Sequence, residues 1–324
     1  MIHCQKFTPI KGNKMKKLII AAVVAAAVGG AFYANYAATQ EVKKVVDQQI
    51  SALSAQSGVD ITYNDISANV FASSMQLSGI KVQSYTGDEM IATIDNIEVT
   101  GYEVDAVPPH TGFVMKSFRF SDDFLAQLPE NANNKLASAS YDVNSSLDYD
   151  KDTGSSDFAL NVIANQVADV RFNLGLANST PLMEASMAIS KMQNEAQGAE
   201  LTLEQQLQQQ SKMMAAMTQL EPRSINMSIA DEGELKAVVD SFLEAQGMSH
   251  EQFQQTVAMQ LQQAPVSEEL AAAITNFVSG LSELTVSASL PEGKTMMEIN
   301  QQIMALMGQP EELASYINLQ ASGK

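Results

Sequence analysis

The chain has 324 residues, which is long enough to bury a sizeable core in one or two domains. Its formal net charge of −18 argues against nucleic-acid binding, because phosphate neutralisation requires clustered Lys and Arg. The single cysteine, Cys4, excludes an intrachain disulfide and a thiolate metal site. A hydrophobic content of 45% is typical of a globular protein and excludes a polytopic membrane protein.

A long apolar run lies near the N-terminus. Lysines within residues 14–17 precede Leu18–Ala34, and Asn35 interrupts the run before further apolar residues. With this asparagine tolerated, Leu18–Ala38 has the roughly 20 residues that a helix needs to span a bilayer. A cleavable signal peptide has the same layout and is the alternative.

The lysines before the run place the N-terminus in the cytoplasm by the positive-inside rule. The sequence therefore predicts a single-pass protein of the bacterial inner membrane, which contacts that membrane through Leu18–Ala38 and has its main domain in the periplasm. Translation starts at Met1 or at Met15, which two lysines follow directly.

Periodicity divides the rest of the chain. Residues 1–17 form a basic cytoplasmic head, 18–38 the anchor, 39–57 an amphipathic helix, 58–180 an antiparallel β region, and 181–324 a mixed helix and strand region of the same exported domain. The sequence thus predicts an α+β fold, in which an N-terminal transmembrane helix is followed by a curved antiparallel sheet with a helix-rich C-terminal half packed on it.

The β region shows period-two alternation of apolar and polar residues. Its apolar phase flips across Gly79 and again at Asp95–Asn96, which predicts a bulge or a close approach of the backbone at Gly79. The clearest alternation covers residues 141–176 and predicts a three-stranded meander, with a turn at Asp150–Gly154. Beyond Pro181 the period becomes helical. Three capping boxes mark helix starts there, at Thr202 with Gln205, Ser249 with Gln252, and Thr295 with Glu298.

Residues 58–84, which read GVDITYNDISANVFASSMQLSGIKVQS, carry a family resemblance. This order of strand, I-S-x-N turn and strand after an anchor and a helix resembles the opening of AsmA-like envelope proteins and of YdgA-type exported proteins. The likeness covers residues 15–105. It implies a membrane-anchored envelope protein whose curved sheet offers an apolar face to lipid or to a partner. The long strand array of large AsmA members is absent from this chain.

Three patterns suggest chemistry, and each has a simpler structural interpretation. Residues 288–295 read ASLPEGKT, a relaxed Walker A motif, but the capping box at Thr295 explains the same residues and no nucleotide is expected. Ser78 and Lys81 match S-x-x-K, although on a strand instead of a helix. A calcium-loop pattern also occurs, but a solvated hairpin turn explains it. Its acids are Asp148, Asp150, Asp152 and Asp157.

His3, His110 and His250 are far apart in the sequence, so neither a histidine metal site nor a catalytic triad is predicted. We therefore predict no catalytic residue, no metal ligand and no cofactor. The unusual feature is the 18 methionines. They fill a core, line a groove for acyl chains or an apolar partner, or bind copper. The candidate groove residues, paired on single helix faces, are Met183, Met187, Met213, Met217, Met304 and Met307.

The resulting hypothesis is a non-enzymatic, membrane-anchored envelope protein that binds lipid or an apolar partner along a curved sheet. The alternative is a structural or assembly scaffold for other envelope proteins. A remote alternative is a periplasmic hydrolase whose site has no recognisable motif.

Overall fold

The computed structural model describes residues 39–69, 73–85, 89–101, 106–127, 134–195 and 202–324. These residues build one antiparallel sheet of eleven strands. The strands are β1 (Val59–Thr62), β2 (Asp65–Asn69), β3 (Ser74–Ser84), β4 (Met90–Thr100), β5 (His110–Phe120), β6 (Tyr141–Asp150), β7 (Ser155–Ala164), β8 (Ala168–Ala177), β9 (Glu221–Asp231), β10 (Glu283–Ser289) and β11 (Gln320–Gly323). Strands β1 and β2 both pair with β3, and from β3 onward each strand pairs with its neighbours in the chain.

Helices precede the sheet and fill the connections between its strands. They are α1 (Thr39–Ser57), α2 (Asp122–Leu125), α3 (Asn134–Ser138), α4 (Thr180–Glu195), α5 (Leu203–Gln219), α6 (Leu235–Ala245), α7 (His250–Gln263), α8 (Glu268–Gly280), α9 (Met296–Leu306) and α10 (Pro310–Tyr316). The sheet continues through the predicted boundary at residue 180, because β8 and β9 pair along their whole length.

One face of the sheet is apolar across its full width, and we call it the apolar face. A single row of paired residues shows this continuity. It reads Ile66, Leu77, Ile97, Met115, Val143, Val162, Val170, Ile229, Leu284 and Gly323. Because side chains alternate between the two faces of a strand, neighbours at i±2 extend this face along each strand as far as the strand keeps its phase.

The phase flips predicted from the sequence lie next to one another in the sheet. Gly79 has a φ of +63°, and a Cβ at this position would lie 2.2 Å from the side-chain nitrogen of Asn64. The predicted close approach at Gly79 is therefore confirmed. Asp95 lies opposite Gly79, between the pairs that Ser78 and Ile80 make with β4. On β5, Ser117 continues the irregularity with a φ of 57°. Adjacent strands thus shift phase together, and the apolar face stays continuous.

Helix α1 covers the apolar face at the start of the sheet. Its Val46 and Ile50 are buried against a core that includes Ile61, Leu77 and Ile94. At the opposite edge, α8 packs on β10 and β11. The contact is closest at Gly323, where a Cβ would lie 1.9 Å from the carbonyl oxygen of Ala273. Only glycine permits this approach of helix backbone to strand.

Local predictions from the sequence hold in this structure. The meander over residues 141–176 is β6, β7 and β8, with Gly154 at a φ of +67° in the first turn. All three predicted capping boxes are present, and they start α5, α7 and α9. These features depend on residues close in sequence, which explains why pattern alone finds them.

The membrane prediction requires a correction. The segment Leu18–Ala38 lies outside the described residues, and none of the described helices combines the length and apolarity needed to cross a bilayer. The fold class that begins with a transmembrane helix is therefore wrong in that element, and the described fold is an antiparallel sheet with helices. The single-pass inner-membrane location is corrected with it, since it was inferred from that helix.

Replacing Gly79 with alanine tests the phase shift. We expect Gly79→Ala to lower the free energy of unfolding by about 1–2 kcal/mol, the cost of a left-handed backbone at a residue with a Cβ. Urea denaturation measures the change. Gly308→Ala is the matched control, because its Cβ would meet no atom within 4 Å. Equal stability of the two variants would contradict the strain at Gly79.

Candidate functional site

The candidate site is the part of the apolar face formed by β6 to β10, which we call the open face. Its side chains lie in three rows across the strands. The rows are Leu147, Phe158, Leu174, Ile225 and Ala288; Ser145, Leu160, Phe172, Met227 and Val286; and Val143, Val162, Val170, Ile229 and Leu284. Phe158 and Phe172 contact each other in the middle, with ring centroids 6.4 Å apart at 57°.

Burial separates the open face from the rest of the apolar face. Beneath α1, Leu77 is 1% exposed and Ile97 is fully buried. On the open face, none of the fifteen row residues is buried, and Met227 is 52% exposed. Val170 and Ile225 are each 38% exposed. The same alternating sequence pattern thus gives a buried core beneath α1 and a partly exposed apolar surface on the open face.

Helices frame the open face at both strand ends. At the β7–β8 turn, Leu235 and Val238 of α6 pack on Ala164 and Ala168. Asp231 positions α6 there, because its carboxylate accepts hydrogen bonds from the backbone N–H groups of Gly233 and Leu235.

At the other strand end the frame is α4, where Tyr149 and Thr180 are joined by a 2.9 Å hydrogen bond between their hydroxyls. Ser156, Leu176 and Met183 are buried around this contact. With α1 and α8 at the two lateral sides, the open face is the floor of a trough.

Strand geometry gives the size of this floor. Four spacings between β6 and β10 make it about 19 Å wide, and rows spanning five residues make it about 14 Å long. Ser145 is the one polar residue among the three rows, and none of their side chains is charged. Such a surface binds apolar groups by the hydrophobic effect, and the Ser145 hydroxyl is the one polar side-chain group in its three rows.

The six predicted groove methionines lie on three neighbouring helices. Met183 and Met187 are on α4, Met213 and Met217 on α5, and Met304 and Met307 at the end of α9, with α5 packed against both other helices. Met183 is buried, whereas Met217, Met304 and Met307 are 53–59% exposed. The six side chains therefore do not share one surface. Their role in binding stays a prediction.

The other sequence patterns have structural roles. Thr295 caps α9, and its backbone N–H donates to Glu298 at 2.9 Å. The capping interpretation of ASLPEGKT is thus confirmed. In the β6–β7 turn, the Asp150 carboxylate accepts the N–H of Asp152 at 2.9 Å. The hydrogen bond from the Thr153 side chain, and then those from the backbone N–H groups of Asp152 and Thr153, lower the pKa of Asp150. Among the described residues, no group of three His, Cys, Asp or Glu side chains is placed to hold a metal ion.

Two histidines that are isolated in sequence gain carboxylate partners in the fold. His110 Nδ1 lies 2.6 Å from Asp148 on the exposed polar face of the sheet. His250 is more enclosed, with Nδ1 2.6 Å from Asp240 on α6 and Nε2 donating to the carbonyl of Val278 at 2.9 Å. Since α6, α7 and α8 each supply one of these groups, His250 joins three helices.

A cleft of about 810 Å³ lies between α1 and the β1–β2 junction. Lys43 donates to the hydroxyl of Tyr63 at 2.8 Å, and that hydroxyl donates to Asp47 at 2.5 Å. The hydrogen bond from Tyr63 lowers the pKa of Asp47, while burial raises the pKa of Tyr63. Sequence analysis missed this cluster. Its one local signal is the spacing of four residues between Lys43 and Asp47, which is typical of a helical ion pair.

Paired truncations test the difference between covered and open parts of the apolar face. Leu77→Ala should lower the free energy of unfolding by about 3 kcal/mol, because it leaves a cavity in a packed core. Met227→Ala removes a side chain of similar size from the same face, and we expect a loss below about 1 kcal/mol because the residue is half exposed. Denaturant titration of both variants measures this. A large loss for Met227→Ala would mean that the open face is packed.

The Asp240 contacts predict a pH-dependent stability. The hydrogen bond from Lys236, and then the one from His250, lower the pKa of Asp240. A carboxyl with a lowered folded-state pKa stabilises the fold above the ordinary carboxyl pKa, and this stabilisation disappears as pH falls through the folded value. Asp240→Asn should therefore cost at most about 1 kcal/mol at neutral pH, since solvent screens these partly exposed contacts, and the cost should disappear as pH falls below the ordinary carboxyl pKa.

Urea denaturation at several pH values, with Glu244→Gln as an exposed control on the same helix, measures the effect. The wild-type and Asp240→Asn curves should converge as pH falls, while Glu244→Gln follows the wild type throughout. If the difference in the free energy of unfolding between wild type and Asp240→Asn stays constant from neutral to acidic pH, the charge of the Asp240 carboxylate does not stabilise the contact between the helices.

Comparison with known proteins bears on the C-terminal half of the chain. No curated protein matches the sequence. A family model with the description "Uncharacterized protein" matches residues 161–324, which begin within β7 and include the open-face strands β8, β9 and β10. Because this match covers half of the sequence, the chain belongs to that family.

Proposed function

We propose that this protein is a non-enzymatic binding protein whose open face holds the acyl chains of a lipid. The observation that carries the proposal is the exposure of Val170, Ile225 and Met227 on a face that is otherwise continuous with the buried core. A contiguous exposed apolar surface with a polar rim is typical of a binding site.

The shape and chemistry of the floor favour an acyl chain over other apolar ligands. The floor is wide and shallow, and its side chains are aliphatic, aromatic or thioether groups apart from Ser145. An acyl chain needs contact area and makes no directional bonds, so a surface without donors or acceptors suits it. A ligand with many polar groups would lose its hydration there without compensation.

The resemblance of the sequence of residues 15–105 to AsmA-like proteins implies an apolar sheet face offered to lipid or to a partner, and a lipid ligand agrees with that expectation. This support is independent of the family match, which covers residues 161–324.

A scaffold for other proteins is the alternative function, and the opposite face of the sheet is the surface that favours it. That face carries polar and charged groups, including the pairs His110–Asp148 and Asp157–Arg223. These pairs are solvent-exposed, and exposed ion pairs contribute little binding energy individually. The apolar face is therefore the stronger candidate.

Binding of fluorescently labelled palmitate to the full chain tests the proposal. We expect saturable binding, weakened about tenfold by Met227→Glu, because the new carboxylate would lose its hydration beneath the acyl chain. Fluorescence titration measures both affinities. Circular dichroism confirms that the variant is folded, which the 52% exposure of Met227 leads us to expect.

Met259→Glu is the matched control, since Met259 is 56% exposed on α7 and lies away from the sheet. The apolar run Leu18–Ala34 also attracts acyl chains, so the difference between the two variants decides the test. Equal affinity of Met227→Glu and Met259→Glu, or no saturable binding at all, would show that the open face does not bind lipid.

A further inference from the structure

Helix α5 carries an apolar stripe on its outer side, separate from the open face. Four of its residues are 53–73% exposed, an unusual value for large apolar side chains on one helix. They are Leu203, Leu207, Met214 and Met217. Together with Gln210 they follow one another at spacings of four, three, four and three residues, which is the a/d repeat of a coiled coil.

The stripe is not the side by which α5 attaches to the protein. Ala216 is buried and lies on a different side of the helix, which packs against α4 and α9. Leu220, the residue that ends the helix, is buried as well. The capping box of Thr202 and Gln205 fixes the first turn. The stripe therefore lies on a helix that is already folded and packed against its neighbours, so binding a partner carries no entropic cost for folding this helix.

Charge indicates which partner fits. The whole chain has a net charge of −18, yet α5 contains one acid, Glu204, and one base, Lys212. In a helix pair, the positions flanking the a/d stripe select partners by charge. On α5 these flanking positions hold Glu204, Gln206, Ser211, Met213 and Thr218. A second α5 would meet almost no like charge there, whereas most of this chain's surface repels another copy.

We propose that α5 pairs with α5 of a second copy of this chain, through the stripe of Leu203, Leu207, Gln210, Met214 and Met217. Gln210 is the central residue of the stripe, so the two-fold axis of a symmetric pair brings it against its own counterpart. The two side-chain amides can then donate to each other, and a polar residue at one a/d position fixes the register of such pairs.

Other occupants fit the stripe less well. A lipid surface favours helices with several Lys or Arg beside the apolar stripe, and α5 offers Lys212 alone. A strongly charged partner helix would find one charged residue, Glu204, at the flanking positions. A copy of α5 matches the stripe in length, polarity and the place of its single glutamine.

Sedimentation velocity of the full chain over a range of concentrations tests the pairing. We expect a concentration-dependent dimer for the wild type and a monomer for Leu207→Glu with Met214→Glu. Both residues are at least 57% exposed, so the double variant should fold. Gln210→Leu should dimerise more tightly, by about tenfold, because it removes the polar residue from the stripe.

Cross-linking checks the geometry directly. In a Cys4→Ser background the chain has no other cysteine, so Gln210→Cys should form a disulfide-linked dimer under mild oxidation. The control is Met259→Cys in the same background, because Met259 is also exposed, on α7, and should cross-link slowly. Leu203→Cys then reports orientation, because it meets its own counterpart in a parallel pair only.

Three results would each overturn the proposal. A wild type that stays monomeric at about 100 μM lacks the affinity of a specific contact. A double variant that dimerises like the wild type shows that association uses another surface. Cross-linking of Gln210→Cys no faster than Met259→Cys shows that the helices do not meet at the centre of the stripe.

Discussion

The structure depends on keeping one face of a very wide sheet apolar from the first strand to the last. A shift of one residue in any pairing would turn a strand's apolar side chains to the opposite face. The row from Ile66 to Gly323 shows that this does not happen across ten strands in succession. The apparent exceptions, at Gly79, Asp95 and Ser117, lie side by side on β3, β4 and β5, so the three strands change phase at the same place. Because the neighbouring strands change phase together, their apolar side chains stay on one face of the sheet. A phase change in one strand alone would turn its apolar side chains to the opposite face.

What differs along the sheet is the layer above this face. Helix α1 covers it at one side and α8 at the other, and between them the floor meets solvent. The covered part supplies the buried core on which folding depends, and the open part is free to serve a ligand. Because the buried core is formed by the covered part of the apolar face, the protein can expose Met227 and Val170 on the open part without losing that core.

Local features of this fold could be predicted from sequence, and tertiary ones could not. The meander of β6 to β8 and the three capping boxes depend on residues close together in the chain. The open face has no such signal, because Leu77 and Phe172 occupy the same kind of alternating pattern. Whether a helix lies above them is decided by chain segments far away.

The same reason explains the missed contacts. His250 contacts Asp240, which is ten residues away in the sequence, and Val278, which is twenty-eight residues away. Neither separation matches a local pattern that would predict the contact. Ser117 adopts a left-handed backbone that its residue type does not suggest, because the neighbouring strands impose it. The proposed function is harder still to predict from the sequence, because it depends on which part of the apolar face is left uncovered by helices.

The order of strands in the sheet has a consequence for how the chain reaches this state. Because the strands from β3 to β11 join the sheet in the order of synthesis, each one can dock on an edge that already exists. Four of these eight steps close a connection of nine residues or fewer, which keeps the entropic cost of those steps small. A nascent chain can therefore lengthen its sheet strand by strand as it leaves the ribosome. The last edge is then blocked by α8, where Glu269 accepts the N–H of Ala321 at 2.9 Å and ends the growth.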